Sequence, residues 1–152
     1  MCNIRIEFFP LATLLPMLVI PSRAFAEMIG HAYDGYPLEA CGLLIGRGEK
    51  VERFVACTNE AASARIYTIP PRELLRAERA AEDDGLAIVG VFHSHTHTEP
   101  YPSPTDVAQA PDPGWHYVIV SLKRDAPELR SFRIVDGVIA EEPVELATGN
   151  GA

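Results

Sequence analysis

Apolar residues recur along the chain in two patterns, one typical of strands and one typical of helices. At residues 86–92 the sequence Leu-Ala-Ile-Val-Gly-Val-Phe is an apolar run that predicts a strand buried on both faces. At residues 21–33, Phe25, Met28 and Ala32 recur at the spacing of one helix face, which predicts a helix that begins near its proline. The chain therefore combines at least one central strand with at least one amphipathic helix.

The remaining segments complete a mixed pattern. Residues 72–83 are rich in Ala, Leu, Glu and Arg and follow Pro70-Pro71, which predicts a second main helix. Asp136-Gly137 is a hairpin turn signal. Further strands are predicted at residues 18–20, 39–46, 51–57, 115–122, 128–135 and 138–144, with a short extended piece at 66–69. The pattern predicts an α/β (α+β) domain with one mixed sheet, two main helices and one short helix.

Two histidines close the central strand and point in the same direction. Side chains alternate between the faces of a strand, so His93 and His95 project together. The sequence Ser103-Pro104-Thr105-Asp106 follows a loop and has the features of a helix start, with Ser as N-cap and Pro at the first helical position. Asp106 can thus turn back towards the histidines. Two imidazoles and one carboxylate are the protein ligands of a catalytic zinc, which keeps a fourth position for water.

Each half of this pattern also has an ordinary structural explanation. A His-x-His pair alone is usually a surface feature or a satisfied polar pair. Ser103 and Asp106 alone have the spacing of a capping box. The combination of His-Ser-His, seven residues, Ser, two residues and Asp is far rarer than either half, and it favours a metal site.

Composition and charge limit the classes of function. The 152 residues suffice for one domain with a sizeable core, and 47% hydrophobic with 22% charged residues is ordinary for a globular protein. The net charge of −8 argues against a general nucleic-acid binder, which needs a basic patch. Three cysteines without a CxxC pair indicate neither a disulfide framework nor a structural zinc site. Cys41 and Cys57 lie in predicted strands, where we expect buried small side chains rather than nucleophiles.

The first residues allow two interpretations. An apolar stretch at residues 8–20, followed by Ala24-Phe25-Ala26, is compatible with a secretory signal peptide over residues 1–26. Against this, the beginning of the segment has no net positive charge, and prolines interrupt a run that is too short to span a membrane as a helix. Cleavage after Ala26 would also cut the predicted first helix. We therefore favour the interpretation without a leader.

The preferred division of the chain has three parts. Leu18-Val19-Ile20 is the first strand, and Met17 could be the true start of translation. The parts are an N-terminal extension at residues 1–16, one domain at 17–146 and a flexible tail at 147–152. On this interpretation we expect a cytoplasmic protein without a membrane partner.

The other histidines have weaker chemical signals. His97 follows the pair on a predicted loop and is not expected to be a ligand. His116 begins a strand and is expected to pack in the core or to support the site from a second layer. His31 lies in the first predicted helix and is expected to face solvent.

The histidine, serine and aspartate motif resembles the signature of the JAMM, or MPN-plus, zinc metalloprotease family. The resemblance covers residues 17–146 and is greatest to the small bacterial Mec-type branch. The matching segments are Glu-Ala-Cys-Gly at 39–42, His-Ser-His-Thr at 93–96, Tyr-Pro-Ser at 101–103, Thr-Asp-Val at 105–107, His-Tyr-Val at 116–118 and Leu-Arg-Ser-Phe-Arg-Ile-Val-Asp-Gly at 129–137. Thr96 stands where eukaryotic members commonly carry Pro, and the Mec-type branch tolerates Thr there. The resemblance implies a JAB/MPN domain of cytidine-deaminase-like fold.

The resemblance also implies a role for each residue of the site. His93, His95 and Asp106 would bind Zn²⁺, whose bound water has a pKa of about 7. Glu39 matches the family's general base, and Ser103 matches the serine that stabilises the oxyanion. Standing alone, Glu39 would be an ordinary exposed residue at a strand end, so its assignment depends on the downstream motif.

The activity implied by the resemblance is hydrolysis of an amide bond at the end of a carrier protein. The partner would be a ubiquitin-like sulfur carrier of CysO or ThiS type with a C-terminal Gly-Gly, and the product would be cysteine. A second interpretation is a deconjugase or tail-trimming isopeptidase of another ubiquitin-like carrier. A third is a non-catalytic MPN scaffold, but such proteins typically lack the ligands that this chain retains.

Overall fold

The structure is a computed structural model that describes residues 17–148. The first predicted strand, both main helices and the short helix are confirmed, while residues 1–16 and the end of the predicted tail lie outside the described residues. The elements in chain order are β1 (Leu18–Pro21), α1 (Ser22–Gly35), β2 (Cys41–Arg47), β3 (Lys50–Cys57), α2 (Pro71–Asp83), β4 (Ala87–His95), α3 (Pro104–Ala108), β5 (His116–Ser121), β6 (Glu128–Val135), β7 (Val138–Glu142) and β8 (Val144–Ala147).

The strands form one eight-stranded mixed sheet in the order β7-β6-β5-β4-β2-β3-β1-β8. β4 and β5 are parallel, β1 is parallel to both of its neighbours, and the other pairs are antiparallel. The mixed α+β class predicted from the sequence is therefore confirmed. The extended piece predicted at residues 66–69 joins no strand of the sheet.

The strand predicted at residues 138–144 is in fact two strands separated by Pro143. Proline has no backbone N–H, so the ladder with β6 stops there. The carbonyl oxygen of Pro143 instead accepts a hydrogen bond of 3.0 Å from the backbone N–H of Leu18, and β8 continues along β1. The two edge strands are therefore consecutive in the chain, and the sheet curls towards closure. β8 ends at Ala147, one residue inside the segment predicted as a tail.

Helices cover both faces of the sheet, and each buries a stripe of small or flexible residues. α1 buries Ala24, Met28 and Ala32 against one face, and α2 buries Ala77 and Ala81 against the other. The apolar residues of the sheet accordingly divide into two buried clusters, one beneath each helix. A strand covered on both faces needs apolar side chains at successive positions, which explains the unbroken run of β4. Among the described residues, no helix is long and apolar enough to cross a membrane.

A bulge in β4 sets the direction of the two histidines. Leu44 pairs with Gly90 and Ile45 pairs with Ile88, so Val89 is an extra residue in this strand. Beyond the bulge the alternation resumes, with Val91 in the cluster beneath α2. His93 and His95 follow at two-residue intervals and therefore lie on the α2 face at the carboxyl end of β4.

Gly42 in β2 provides a test of how closely this sheet is packed. A Cβ atom at Gly42 would lie 2.6 Å from Cζ of Phe54 and 2.6 Å from the carbonyl oxygen of Val55. Because the carbonyl belongs to the paired strand, the contact cannot be relieved by a side-chain rotation alone. We expect Gly42→Ala to lower the free energy of unfolding by about 1–3 kcal/mol, measured by urea denaturation.

The matched control for this substitution is Gly30→Ala. Gly30 lies in α1, and an added Cβ atom would meet nothing within 4 Å. Alanine favours a helix over glycine by about 1 kcal/mol, so this variant should be neutral or more stable. Equal destabilisation of both variants would contradict the role assigned to close packing at Gly42.

Candidate metal centre

Three side chains from β4 and α3 bring one ligand atom each to the same point. His93 Nε2 lies 3.1 Å from His95 Nε2 and 3.1 Å from Asp106 Oδ2. His95 Nε2 lies 3.2 Å from the same carboxylate oxygen. All three residues are buried. The structure therefore brings together the three ligands predicted from the sequence, as the only such group of three or more found among residues 17–148.

The orientation of His95 is fixed from behind by a backbone carbonyl. Its Nδ1–H donates a hydrogen bond of 2.7 Å to the carbonyl oxygen of Glu99. That bond assigns a proton to Nδ1 and directs Nε2 towards Asp106. The Glu99 carboxylate is in turn held by Lys123 and Arg124 at 2.6–3.1 Å. This ion-pair group anchors the loop that supplies the carbonyl, although its charges are largely exposed and contribute little stability individually.

Asp106 is positioned by the start of α3. The hydroxyl of Ser103 accepts a hydrogen bond of 3.1 Å from the backbone N–H of Asp106. The carboxylate of Asp106 accepts one of 2.8 Å from the backbone N–H of Ser103. This reciprocal capping box confirms the helix start predicted from the sequence. It also directs Oδ2 of Asp106 towards the histidines.

Burial and close contacts shift the pKa values of the three ligand side chains. For Asp106, burial opposes ionisation, but hydrogen bonds from His93 and His95 outweigh it and hold the pKa well below its ordinary value. Burial lowers the pKa of His93. For His95, burial acts in the same direction, but the bonds to Asp106 and to the Glu99 carbonyl prevail and raise the pKa. Asp106 is therefore ionised, and the pKa values of the two imidazoles are shifted in opposite directions.

The chemistry of this group fits a bound cation. In the neutral ring of His95 the proton on Nδ1 leaves a lone pair on Nε2, and the ionised Asp106 can only accept, so a bound cation would satisfy both atoms, as protonation of His95 does without one. Nδ1 of His93 is buried without a hydrogen-bond partner among the described residues, so no partner there fixes its protonation. Two imidazole nitrogens and one carboxylate oxygen form the donor set of catalytic zinc sites.

Glu39 lies just before β2 and is held through its backbone. Its N–H donates a hydrogen bond of 2.8 Å to the carbonyl oxygen of Ser63, and its carbonyl oxygen accepts one of 3.0 Å from Nδ2 of Asn59. The next residue is tied to β4, because Ser94 Oγ accepts a bond of 2.8 Å from the N–H of Ala40. Ser94, the middle residue of His-Ser-His, therefore fastens the Glu39 segment to the strand of the ligands.

The carboxyl group of Glu39 is buried and has the properties of a proton acceptor. Only 4% of the residue is exposed, and Oε2 has no hydrogen-bond partner within the described part of the chain. Burial raises the pKa of Glu39 to about 7, an effect that His95 opposes and the charge of Asp106 reinforces. A carboxyl group with a pKa near neutrality can take up and release a proton under ordinary conditions.

One open cleft contains the predicted catalytic residues. We call it the site cleft, and it has a volume of about 560 Å³. Its lining includes Glu39, Arg65, His95, His97, Thr98 and Ser103. It thus connects a buried carboxyl group, the edge of the three-ligand group and a serine hydroxyl.

Some residues of the site carry no signal in the sequence that marks them. The ring of Tyr67 stacks on His93, with centroids 4.5 Å apart and planes inclined by 20°. Asn59 organises the loop after β3, and the Glu99 carbonyl orients His95. Tyr67 and Asn59 lie in irregular chain, where neither periodicity nor a short motif identifies them. His97, which was not expected to be a ligand, contacts Tyr36 and Thr96 instead of the three-ligand group.

The hydrogen-bond partners of His31 and His116 test two predictions made from the sequence. His31 was expected to face solvent, but it is half-buried, and its Nε2–H donates to the carbonyl oxygens of Cys41 at 2.9 Å and Cys57 at 3.2 Å. Both cysteines lie at ends of the paired strands β2 and β3, and the bonds to their carbonyls hold the ring inward. His116 packs in the core, 2.6 Å from Glu142 and 3.0 Å from the Gly48 carbonyl, and contacts none of the three ligands. Of its two predicted roles, packing is the one observed.

Comparison with known proteins identifies the family. The family described as prokaryotic homologs of the JAB domain matches residues 21–135, and the chain belongs to it. A CysO-cysteine peptidase from Mycobacterium tuberculosis is 44% identical over 133 residues, which are 86% of this chain and 91% of that protein. A probable TtuB-protein conjugate cleaving protease from Thermus thermophilus is 32% identical over 122 residues, or 80% of this chain and 78% of that protein.

Solved structures confirm the JAB/MPN fold. A solution structure of a protein from Desulfitobacterium hafniense is similar with a TM-score of 0.81 and 36% identity, and the match covers 88% of this chain and 94% of the other. A structure described as JAMM, a metalloprotease-like zinc site in the proteasome and signalosome, is similar with a TM-score of 0.54. That second match covers 85% of this chain and 97% of the other, and at 17% identity it shows the fold alone.

Proposed function

We propose that this protein is a zinc-dependent metallopeptidase that cleaves the amide bond after the C-terminal glycine of a ubiquitin-like sulfur carrier and releases cysteine. The observation that carries the proposal is the convergence of His93, His95 and Asp106 beside a cleft that contains the buried carboxyl group of Glu39. A set of metal ligands next to a proton acceptor of near-neutral pKa is suited to metal-assisted amide hydrolysis.

In this proposal His93, His95 and Asp106 hold the zinc ion. When bound, the ion supplies Lewis-acid activation of a water molecule and of the scissile carbonyl. Glu39 takes a proton from the attacking water at a carboxylate oxygen and delivers it to the nitrogen of the departing amine. The absence of a hydrogen-bond partner for Oε2 among the described residues supports this role, because no neighbouring donor competes for the oxygen.

Ser103 donates a hydrogen bond from its hydroxyl group to the oxyanion. Its oxygen already accepts from the N–H of Asp106, which leaves the hydroxyl hydrogen to be donated. Because the capping box fixes the hydroxyl in the apo arrangement, little reorganisation is needed when charge develops on the carbonyl oxygen. Structural capping and oxyanion stabilisation are therefore compatible functions of the same side chain.

The choice of substrate is supported by the relatives. The Mycobacterium tuberculosis protein, which aligns over 91% of its length, is named as a CysO-cysteine peptidase. The Thermus thermophilus protein is named for cleavage of a TtuB-protein conjugate, which supports a deconjugase as the second candidate. The two candidates differ in the group that leaves, since one releases a single amino acid and the other a whole protein.

The proposed function is tested with a sulfur carrier that bears one cysteine after its terminal glycine. We expect the zinc-loaded protein to shorten this adduct by one cysteine residue, followed by intact mass spectrometry, and we expect the chelator-treated protein to leave it unchanged. Cleavage of a carrier–protein conjugate without cleavage of the adduct would favour the deconjugase. Failure of the zinc-loaded protein to cleave either substrate would reject both candidates.

A further inference from the structure

We propose that Arg65 binds the α-carboxylate of the amino acid that leaves, so that the enzyme selects single amino-acid adducts over protein conjugates. This inference rests on the proposed function and specifies its leaving group. The substrate class is a carrier chain that ends in one further amino acid with a free carboxylate. Arg65 would act in binding and specificity, while proton transfer stays with Glu39.

The loop that carries Arg65 is attached directly to the backbone of Glu39. Ser63 accepts the N–H of Glu39 through its carbonyl at 2.8 Å, and its hydroxyl accepts the N–H of Arg65 at 3.0 Å. Asn59 bridges the same parts, because Nδ2 donates to the carbonyl oxygens of Glu39 and Ile66, both at 3.0 Å. The backbone at Arg65 is therefore held relative to the backbone of Glu39 by hydrogen bonds.

The guanidinium group of Arg65 has no partner within residues 17–148. It takes part in none of the side-chain hydrogen bonds or ion pairs there, and among the arginines in this state it is the one that lines the site cleft. Arg65 lines the site cleft, exposed and available to an anionic ligand.

Proton transfer brings the leaving group to Glu39, in the cleft that Glu39 and Arg65 both line. Glu39 must reach the amine nitrogen that departs, so that nitrogen lies next to Glu39. In a departing amino acid the carboxylate is attached to the α-carbon that bears this nitrogen. An arginine fork can bind a carboxylate through two parallel hydrogen bonds. The other charged or titratable groups of the cleft, Glu39 and the histidines, do not provide such a fork.

A protein conjugate cannot make the same contact. When a carrier is joined to a lysine side chain, the departing nitrogen sits at the end of a four-carbon stem. The α-carbon of that lysine carries a peptide bond instead of a carboxylate. Arg65 would therefore favour the release of a free amino acid and give no such advantage to an isopeptide substrate.

The experiment compares two substrates that differ in one group, a carrier ending in Gly–Cys with a free carboxylate and the same carrier ending in the cysteine amide. For the zinc-loaded natural chain we expect kcat/KM to be about 10- to 100-fold higher for the carboxylate, the range of a charged hydrogen-bonded contact. Arg65→Ala should lose that factor on the carboxylate and change little on the amide. Arg65→Lys should retain part of the preference, because it keeps the charge and loses the fork.

Binding provides a second readout that does not need turnover. In the Glu39→Gln background, which we expect to bind without cleaving, calorimetry should show weaker binding of the carboxylate substrate by about 10-fold when Arg65→Ala is added. Arg79→Ala is the matched control, since Arg79 is exposed on α2, away from the site cleft, and its removal changes the net charge equally.

The possible outcomes separate this inference from the proposed function. Equal cleavage of both substrates by the natural chain would overturn the role of Arg65 and leave the peptidase assignment intact. Equal loss by Arg65→Ala on both substrates would show a structural effect and overturn it as well. If the natural chain cleaves neither substrate, the proposed function fails and this inference fails with it.

Discussion

The Glu39→Gln variant is expected to hydrolyse the carrier–cysteine adduct about 100-fold or more slowly than the natural chain while it binds the same amount of zinc. Glutamine has nearly the shape of glutamate, so the backbone bonds to Ser63 and Asn59 should persist. What is lost is the carboxylate oxygen that accepts and returns a proton. The rate is followed by the mass of the carrier, and zinc by elemental analysis of the same sample.

A surface substitution of the same kind serves as the control for Glu39→Gln. Glu78 is exposed on α2 and lies outside the site cleft, so Glu78→Gln should retain the rate of the natural chain. Equal rates for Glu39→Gln and the natural chain would reject Glu39 as the base. A loss of zinc together with the loss of rate would indicate instead that Glu39 supports the metal centre.

The stability of the metal-free protein gives an independent readout of the buried carboxyl group. The pKa of Glu39 is raised from 4.5 to about 7, chiefly by burial, so the folded state holds its proton more tightly than the unfolded state. Below pH 4.5 the carboxyl group is mostly neutral in both the folded and the unfolded state, so its burial requires no change of charge. As pH rises from 4.5 to about 7, the unfolded state loses this proton first, and the free energy of unfolding falls. Glu39→Gln should therefore stabilise the metal-free protein at pH 8 relative to the natural chain, and this gain should vanish at pH 4.

The regular elements could be predicted because each depends on a local pattern. The run that forms β4 and the apolar stripe of α1 are visible in consecutive residues. The division of the last predicted strand at Pro143 was harder to predict, because β8 forms only by pairing with β1, which is far away in the sequence. A proline inside a strand pattern indicates a break, but it does not indicate which strand pairs beyond the break.

The residues of the candidate site could be predicted where a strand, a helix start or a short sequence motif marks them. Strand alternation places His93 with His95, and the helix start brings Asp106 to them. The irregular loop after β3 contributes Arg65 and Tyr67, and its shape depends on the many hydrogen bonds of Asn59. Such bonds connect residues without any repeating spacing, so the sequence alone gives no position for these side chains.

The largest effect on metal content is expected for His95→Ala. The natural chain purified without chelator should contain about one zinc ion per chain, as expected for a single three-ligand site. Removing His95 deletes a proposed ligand whose orientation is fixed by the Glu99 carbonyl, and it leaves His93 and Asp106 of the three-residue group. We expect the variant to lose most of its zinc, measured by elemental analysis after gel filtration.

His97→Ala is the matched control for His95→Ala, because it removes the next histidine of the same sequence. The side chain of His97 lies beside Tyr36, with ring centroids 5.7 Å apart, and its Nδ1 contacts the Thr96 hydroxyl at 2.8 Å. It should therefore retain the zinc of the natural chain. Full retention of zinc by His95→Ala would reject His95 as a ligand. Loss of zinc in His97→Ala alone would assign the ligand role to His97 instead.

A metal that binds only the folded state also stabilises it, so a chelator should lower the Tm of the natural chain and of His97→Ala, with little effect on His95→Ala.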